Sequence, residues 1–286
     1  MIHVTREIVL DDASPERYDS RTQCRRVSQR GVCVQNERRR SIILWGPPGS
    51  GKSLYLASLV MWLTRVRDEQ PFAVLPADDA AASWIGRRSA ARADGVALTP
   101  TGPLPSESAL FRIYSISDTA DATRSRSAVV ADLTPSEAAA GDPSSPRLND
   151  AAGVMLLLPV ATMAASAEAR DAYVSWFTTT LARLPEQPGA APPAVWIPVA
   201  VCLTQTDEAA DATRRDALQW LESFGSETVR ALRAHCARFS VFKVSSLGRA
   251  PRRRDGIDVV VGSPEPRGVL APIRWILAET TPRAAA

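Results

Sequence analysis

Lysine is almost absent from this chain. Of its 34 basic residues only Lys52 and Lys243 are lysines, and the rest are arginine. Where positive charge alone is needed the chain uses a guanidinium, so a lysine inside a defined motif marks a place that requires a compact ammonium. Cysteine is scarce too. Cys24, Cys33, Cys202 and Cys236 lie far apart, form no C-x-x-C, and are accompanied by two histidines, a set that does not make a zinc site. No charged-then-apolar leader opens the sequence, so no secretory signal is expected. The longest run of low polarity, Ala151 to Ala165, is short for a bilayer and contains Pro159, so it reads as a buried strand and no transmembrane segment is expected. A reducing cytoplasm is the compartment that fits. The net charge of +3 is too small to imply a nucleic-acid partner by itself. Hydrophobic content of 45% and charged content of 23% are those of an ordinary globular chain.

What the chain does have is a short apolar run, Ser41 to Trp45, followed by Gly46-Pro47-Pro48-Gly49-Ser50-Gly51-Lys52-Ser53 and an apolar helix with Leu54, Leu56, Leu59, Val60 and Leu63. This satisfies G-x-x-x-x-G-K-[ST] in its required context of strand, turn and helix. The glycines let the turn aim several backbone N–H groups into one concavity. The helix that follows adds its dipole and free N–H groups, which favours phosphate. In such a loop Lys52 reaches the β- and γ-phosphates and the Ser53 hydroxyl ligates Mg²⁺. Gly46, Pro47, Pro48, Gly49, Ser50, Gly51, Lys52, Ser53 and Leu54 are therefore the phosphate-side candidates.

Residues 1–40 read as a basic N-terminal extension ending in Arg38-Arg39-Arg40, residues 41–280 as one domain, and residues 281–286 as a frayed tail. Asp68 to Ser108 form a long Ala-, Pro- and Gly-rich connection with a helix expected near Ala81 to Arg92. Leu110 to Ser115 and Ser127 to Asp132 suggest a hairpin. After a loop from Leu133 to Asp150 come a strand (Val154 to Val160), a helix (Glu168 to Leu184) and a strand (Val199 to Leu203). A helical region from Arg214 to Arg238, broken near Gly225, then leads to a strand (Phe239 to Val244), a loop (Gly248 to Gly268) and a helix (Val269 to Glu279). The fold class expected is α/β, three layers, with a mostly parallel six-stranded sheet that has one antiparallel strand. Ligands of such sheets gather beyond the carboxyl ends of the strands. Those ends carry Asp132, then Thr204-Gln205-Thr206-Asp207, then Ser245-Ser246-Leu247.

In that order the motifs resemble those of Ras-like, translation-factor-class GTPases, over about residues 41 to 280. There a phosphate turn precedes a switch threonine, a D-x-x-G, an N-K-x-D or T-K-x-D, and an S-A-x loop. More narrowly the chain looks like the divergent GTPase domains of bacterial conflict systems, sometimes called double-GTPase domains, which also carry a long first loop. The resemblance implies Mg²⁺ and GTP or GDP as ligands. It implies that Asp132 holds the metal through water, and that Thr101, or alternatively Thr99, closes on Mg²⁺ and the γ-phosphate. The Asp207 carboxylate would accept the guanine N–H donors and the Ser246 N–H would meet the guanine O6. Thr204, Gln205, Ser245 and Leu247 would flank them. Asp207 also suits the N-cap of the next helix.

The departures from that pattern bear on turnover. Pro135 stands where the glycine of D-x-x-G would be, and proline has no N–H to offer a γ-phosphate. Ser136 could substitute if the loop shifts by a residue. No glutamine follows to orient water, which leaves Glu137 as the candidate, and Gln205 replaces the lysine that lies over the guanine ring. Three functions therefore stay open. One is a slow GTPase switch acting on a protein partner, with Lys52, Thr101 and Glu137 at the reacting phosphate. Another is a nucleotide-binding adaptor with negligible turnover. The third is an ATPase or nucleotide kinase using ATP or ADP, for which Gly-Pro-Pro-Gly-Ser-Gly-Lys-Ser is a familiar turn.

Overall fold

The computed structural model describes residues 41–47, 49–65, 72–76, 110–115, 128–132, 151–187, 191–209, 215–254, 257–259 and 264–280, with a few single positions between them. Pro48, Thr99, Thr101, Pro135, Ser136 and Glu137 lie outside the described residues, as do residues 1–40, residues 281–286 and most of the helix expected near Ala81 to Arg92.

The sheet grows outward from β1 (Ser41–Trp45), which pairs parallel with β4 (Ala128–Asp132) on one side and β5 (Ala151–Pro159) on the other. Beyond β5 lie β6 (Val199–Thr204) and β7 (Phe239–Lys243), both parallel. Beyond β4 lie β3 (Leu110–Ser115) and β2 (Phe72–Pro76), each antiparallel to its neighbour. The full order is β2-β3-β4-β1-β5-β6-β7, so β3 alone runs against the others. Among the described residues the sheet thus has seven strands where six were expected. The extra one, β2, is five residues at the edge, inside the connection read as Ala-, Pro- and Gly-rich; one ladder partner suffices for it, and Pro76 is tolerable there. A second strand pair, β8 (Arg252–Arg254) with β9 (Ile257–Val259), stands where a loop was expected.

Both faces of the central strands are apolar because both are covered. On β1, Ile42 and Leu44 join one core with α1 (Lys52–Arg65) and α6 (Ala271–Thr280). Ile43 and Trp45 join the opposite core with α2 (Val160–Ala165), α3 (Ala167–Leu181), α4 (Ala217–Phe224) and α5 (Ser226–His235). The same alternation divides Met155 and Leu157 from Val154, Leu156 and Leu158 on β5. This is a three-layer α/β fold with a mostly parallel sheet. The low-polarity run 151–165 is strand β5 and then α2, and no helix among the described residues is long and apolar enough to cross a membrane. The helix expected from Glu168 to Leu184 begins at Ala167 and ends at Leu181; Ser166 caps it by accepting from Ala169 N–H at 3.0 Å.

Two buried hydroxyls on α1 bind it to the far end of the chain. Tyr55 is fully buried and its hydroxyl donates to the Val269 carbonyl at 2.7 Å. Burial raises its pKa well above that of a free phenol, with the nearby Cys202 adding to the shift, so it stays a neutral donor. Tyr55→Phe strands that buried carbonyl and is expected to lower unfolding stability by about 1–2 kcal/mol, read as a lower urea midpoint at constant m-value. An unchanged midpoint would show that the bond contributes nothing.

Candidate functional site

The turn between β1 and α1 has to aim its N–H groups inward, so its carbonyls face outward and need partners of their own. All those described have one. Gly46 and Pro47 carbonyls accept from the Lys52 ammonium at 2.6 and 3.3 Å. Pro47 also accepts from Ser50 N–H at 3.1 Å, and Gly51 accepts from Tyr55 N–H at 2.8 Å. Gln205 Nε2 donates to the Gly49 carbonyl at 3.3 Å, and Thr204 Oγ1 donates to the Ser50 carbonyl at 2.8 Å. Gly49 and Gly51 sit at φ of 80° and 87°, the left-handed region that side chains disfavour. A Cβ on Gly46 would overlap Ser50 Oγ, so this glycine is fixed by packing.

The sequence candidates at the ends of β6 and β7 come to the same edge. Thr204 Oγ1 also reaches the Leu158 carbonyl at 3.2 Å, which ties the ends of β5 and β6 to the turn. Asp207 and Ser245 meet through a side-chain hydrogen bond, and Ser245 Oγ accepts from Gly248 N–H at 2.7 Å. Thr206 Oγ1 donates to the Val244 carbonyl at 3.2 Å. Asp216 caps α4, accepting from Leu218 N–H at 2.9 Å and Gln219 N–H at 3.4 Å.

The 245–248 loop is held by its carbonyls as well. The Ser245 carbonyl accepts from Arg267 N–H at 2.8 Å, the Leu247 carbonyl from Glu265 N–H at 3.0 Å, and the Ser246 carbonyl from Ser58 Oγ at 2.8 Å. Among the described residues neither Ser246 N–H nor Leu247 N–H shows an acceptor. Two backbone donors beside one carboxylate form a set complementary to a ligand edge that carries an acceptor next to donors. Among the described residues Trp45 Nε1, Ser50 Oγ and Gln205 Oε1 are buried with no hydrogen-bond partner.

On the metal side, Ser53 is half-buried in the first turn of α1, and Asp132 ends β4 in register with Leu44. Among the described residues no group of three or more His, Cys, Asp or Glu could hold a metal. Ser58, Tyr55 and Arg267 contribute to this edge and were missed in the sequence. Ser58 and Tyr55 lie on the buried face of a helix, where nothing local distinguishes them from core, and Arg267 acts through its backbone and its charge.

No family model and no curated protein matches the chain. Solved structures similar to it include the Ski7 GTPase-like domain of S. cerevisiae bound to GTP, at 13% identity and a TM-score of 0.47, over 86% of this chain and 51% of that one. The SsGBP and GDP complex is 14% identical with a TM-score of 0.37, over 76% and 48%. The signal recognition particle receptor SRb-GDP-Mg of Chaetomium thermophilum is 15% identical with a TM-score of 0.33, over 74% and 92%. The chain thus spans about half the length of the first two.

Asp207 offers a direct test of the electrostatics. Burial raises its pKa above the usual carboxylate value, opposed by the hydrogen bonds from Ser245 and its own backbone N–H and by the Arg267 charge. The folded protein therefore binds this proton more tightly than the unfolded chain. Its contribution to stability is fully present below the unfolded pKa and is lost as pH rises through the folded one. Without ligand, Asp207→Asn is expected to melt at a higher temperature than wild type at pH 7, with the gap shrinking as pH falls toward about 4. A gap that is absent or reversed at neutral pH would contradict the burial account.

Proposed function

We propose that this chain is a Mg²⁺-dependent guanine-nucleotide-binding protein of the switch type, with slow hydrolysis, that acts on a protein partner. The observation that carries the proposal is the closure of three loops on one another: the turn 46–51, the end of β6 and the 245–248 loop. In this reading the stretch Gly46 to Leu54 holds the phosphates through Lys52, the N-terminus of α1 and the backbone N–H groups of its non-proline residues. The Asp207 carboxylate accepts the two N–H donors of guanine, and Ser246 and Leu247 N–H meet its O6. Thr204, Gln205 and Ser245 hold those two loops in place. Adenine offers a donor where guanine has O6, so the same set disfavours it.

Ser53 and Asp132, joined by Thr101, are the residues proposed to hold Mg²⁺, which when bound offsets charge on the β- and γ-phosphate oxygens. The slow rate is assigned to Pro135, whose missing N–H leaves the γ-phosphate without a usual donor, and to Glu137 standing where a glutamine would orient water. Those same two positions favour a second reading, an adaptor that binds nucleotide without turning it over. The narrower likeness to double-GTPase domains rests on the long connection between α1 and β3.

Lys52→Ala is expected to abolish measurable nucleotide binding by titration calorimetry, and an unchanged dissociation constant would contradict the assignment of the turn. Asp207→Ala is expected to weaken GTP by about ten- to a hundred-fold, as for loss of a charge-assisted pair of hydrogen bonds, and to leave weak ATP binding within about two-fold. Equal losses for both would remove Asp207 from base reading. Phosphate release by wild type above the Lys52→Ala control would sink the adaptor reading.

A further inference from the structure

The loop proposed to read the base is held by a buried hydroxyl of α1. Ser58 lies six residues beyond Lys52 on α1 and is fully buried. Its hydroxyl donates to the Ser246 carbonyl at 2.8 Å, across a sequence separation of 188 residues. In a trans peptide the carbonyl of one residue and the N–H of the next point in opposite directions. Drawing the Ser246 carbonyl toward α1 therefore turns the Leu247 N–H away from α1. The flanking carbonyls of Ser245 and Leu247 are fixed independently, by Arg267 and Glu265 N–H. Of these three carbonyls, that of Ser246 is the one set by a side chain of α1. That helix begins at the phosphate lysine.

We propose that Ser58 is a positioning residue for base selection: by holding the Ser246 carbonyl it sets the direction of the Leu247 N–H, and so ties guanine reading to the helix that follows the phosphate turn. This rests on the guanine reading above. Ser58 adds to it a residue that no motif marks and that acts through the backbone of another. The consequence is specific. Without the hydroxyl, the buried Ser246 carbonyl lacks this donor and the peptide is free to rotate toward another one. Phosphate contacts are unaffected, since Lys52 and the turn carbonyls have their own partners.

The test compares GDP and ADP affinities, with Mg²⁺, for full-length wild type, Ser58→Ala, Ser58→Cys and Ser58→Thr. Ser58→Ala is expected to lower the GDP:ADP preference by about five- to ten-fold, the fold-change for one net hydrogen bond, with ADP affinity held within about two-fold. Ser58→Cys keeps the size but donates poorly, so it should show the same loss even if the alanine variant folds badly. Ser58→Thr keeps the hydroxyl and should retain the wild-type ratio. A wild-type ratio in both Ser58→Ala and Ser58→Cys, even with a lowered melting temperature, overturns the role of Ser58 and leaves the guanine reading intact. Wild-type protein that does not prefer GDP to ADP overturns the guanine reading and the role of Ser58 with it.

Discussion

A turn that collects N–H groups on its inner side must satisfy its carbonyls on the outer side, and the rest of this edge follows from that constraint. The partners come from far along the chain. Thr204, at the end of β6, donates to the Ser50 carbonyl, and Gln205 donates to that of Gly49. Because β6 is buried along its whole length between β5 and β7, its end cannot shift without moving the sheet. The turn is thereby pre-organised by the sheet and not by its own sequence alone. The segment that supports it, Thr204 to Asp207, also carries the carboxylate proposed to read the base, so one short stretch joins the two halves of the proposed site.

Locally unfavourable features collect at this edge. Gln205 has φ of 58°, a left-handed conformation costing a non-glycine residue about 1–2 kcal/mol. Two side-chain atoms, Ser50 Oγ and Gln205 Oε1, are buried without a partner among the described residues, and Asp207 carries a carboxylate where burial opposes its charge. Such strain persists where the surrounding structure over-determines it, and it concentrates at functional sites. Burial on both faces of β1, β5 and β6 supplies the stability that tolerates it.

Most of the architecture was legible because period and length are local signals. The run Ser41 to Trp45, the two halves of the 110–132 hairpin, and the break near Gly225 could each be read from a few neighbouring residues. Strand β2 was hidden because five residues at an edge leave too little pattern. The sequence signal for the β8–β9 pair is Asp255-Gly256 between two short runs, set inside an arginine-rich stretch that otherwise reads as a loop. At the proposed site, the candidates in the turn and at the strand ends are marked in the sequence by type and spacing. Ser58 and Tyr55 did not, because a buried hydroxyl bonded to a distant backbone has no signature in one dimension. Asp207 also suits a helix N-cap, and the cap of α4 is Asp216.

The central claim is that the loops around Lys52, Asp207 and Ser246 enclose a guanine nucleotide. The most direct measurement is the identity of the nucleotide that accompanies the protein through purification in Mg²⁺, released by denaturation and resolved by chromatography and mass. The account expects GDP or GTP near one equivalent per chain, and none from Lys52→Ala. Recovery of ADP or ATP, or of no nucleotide from the wild type, would contradict it.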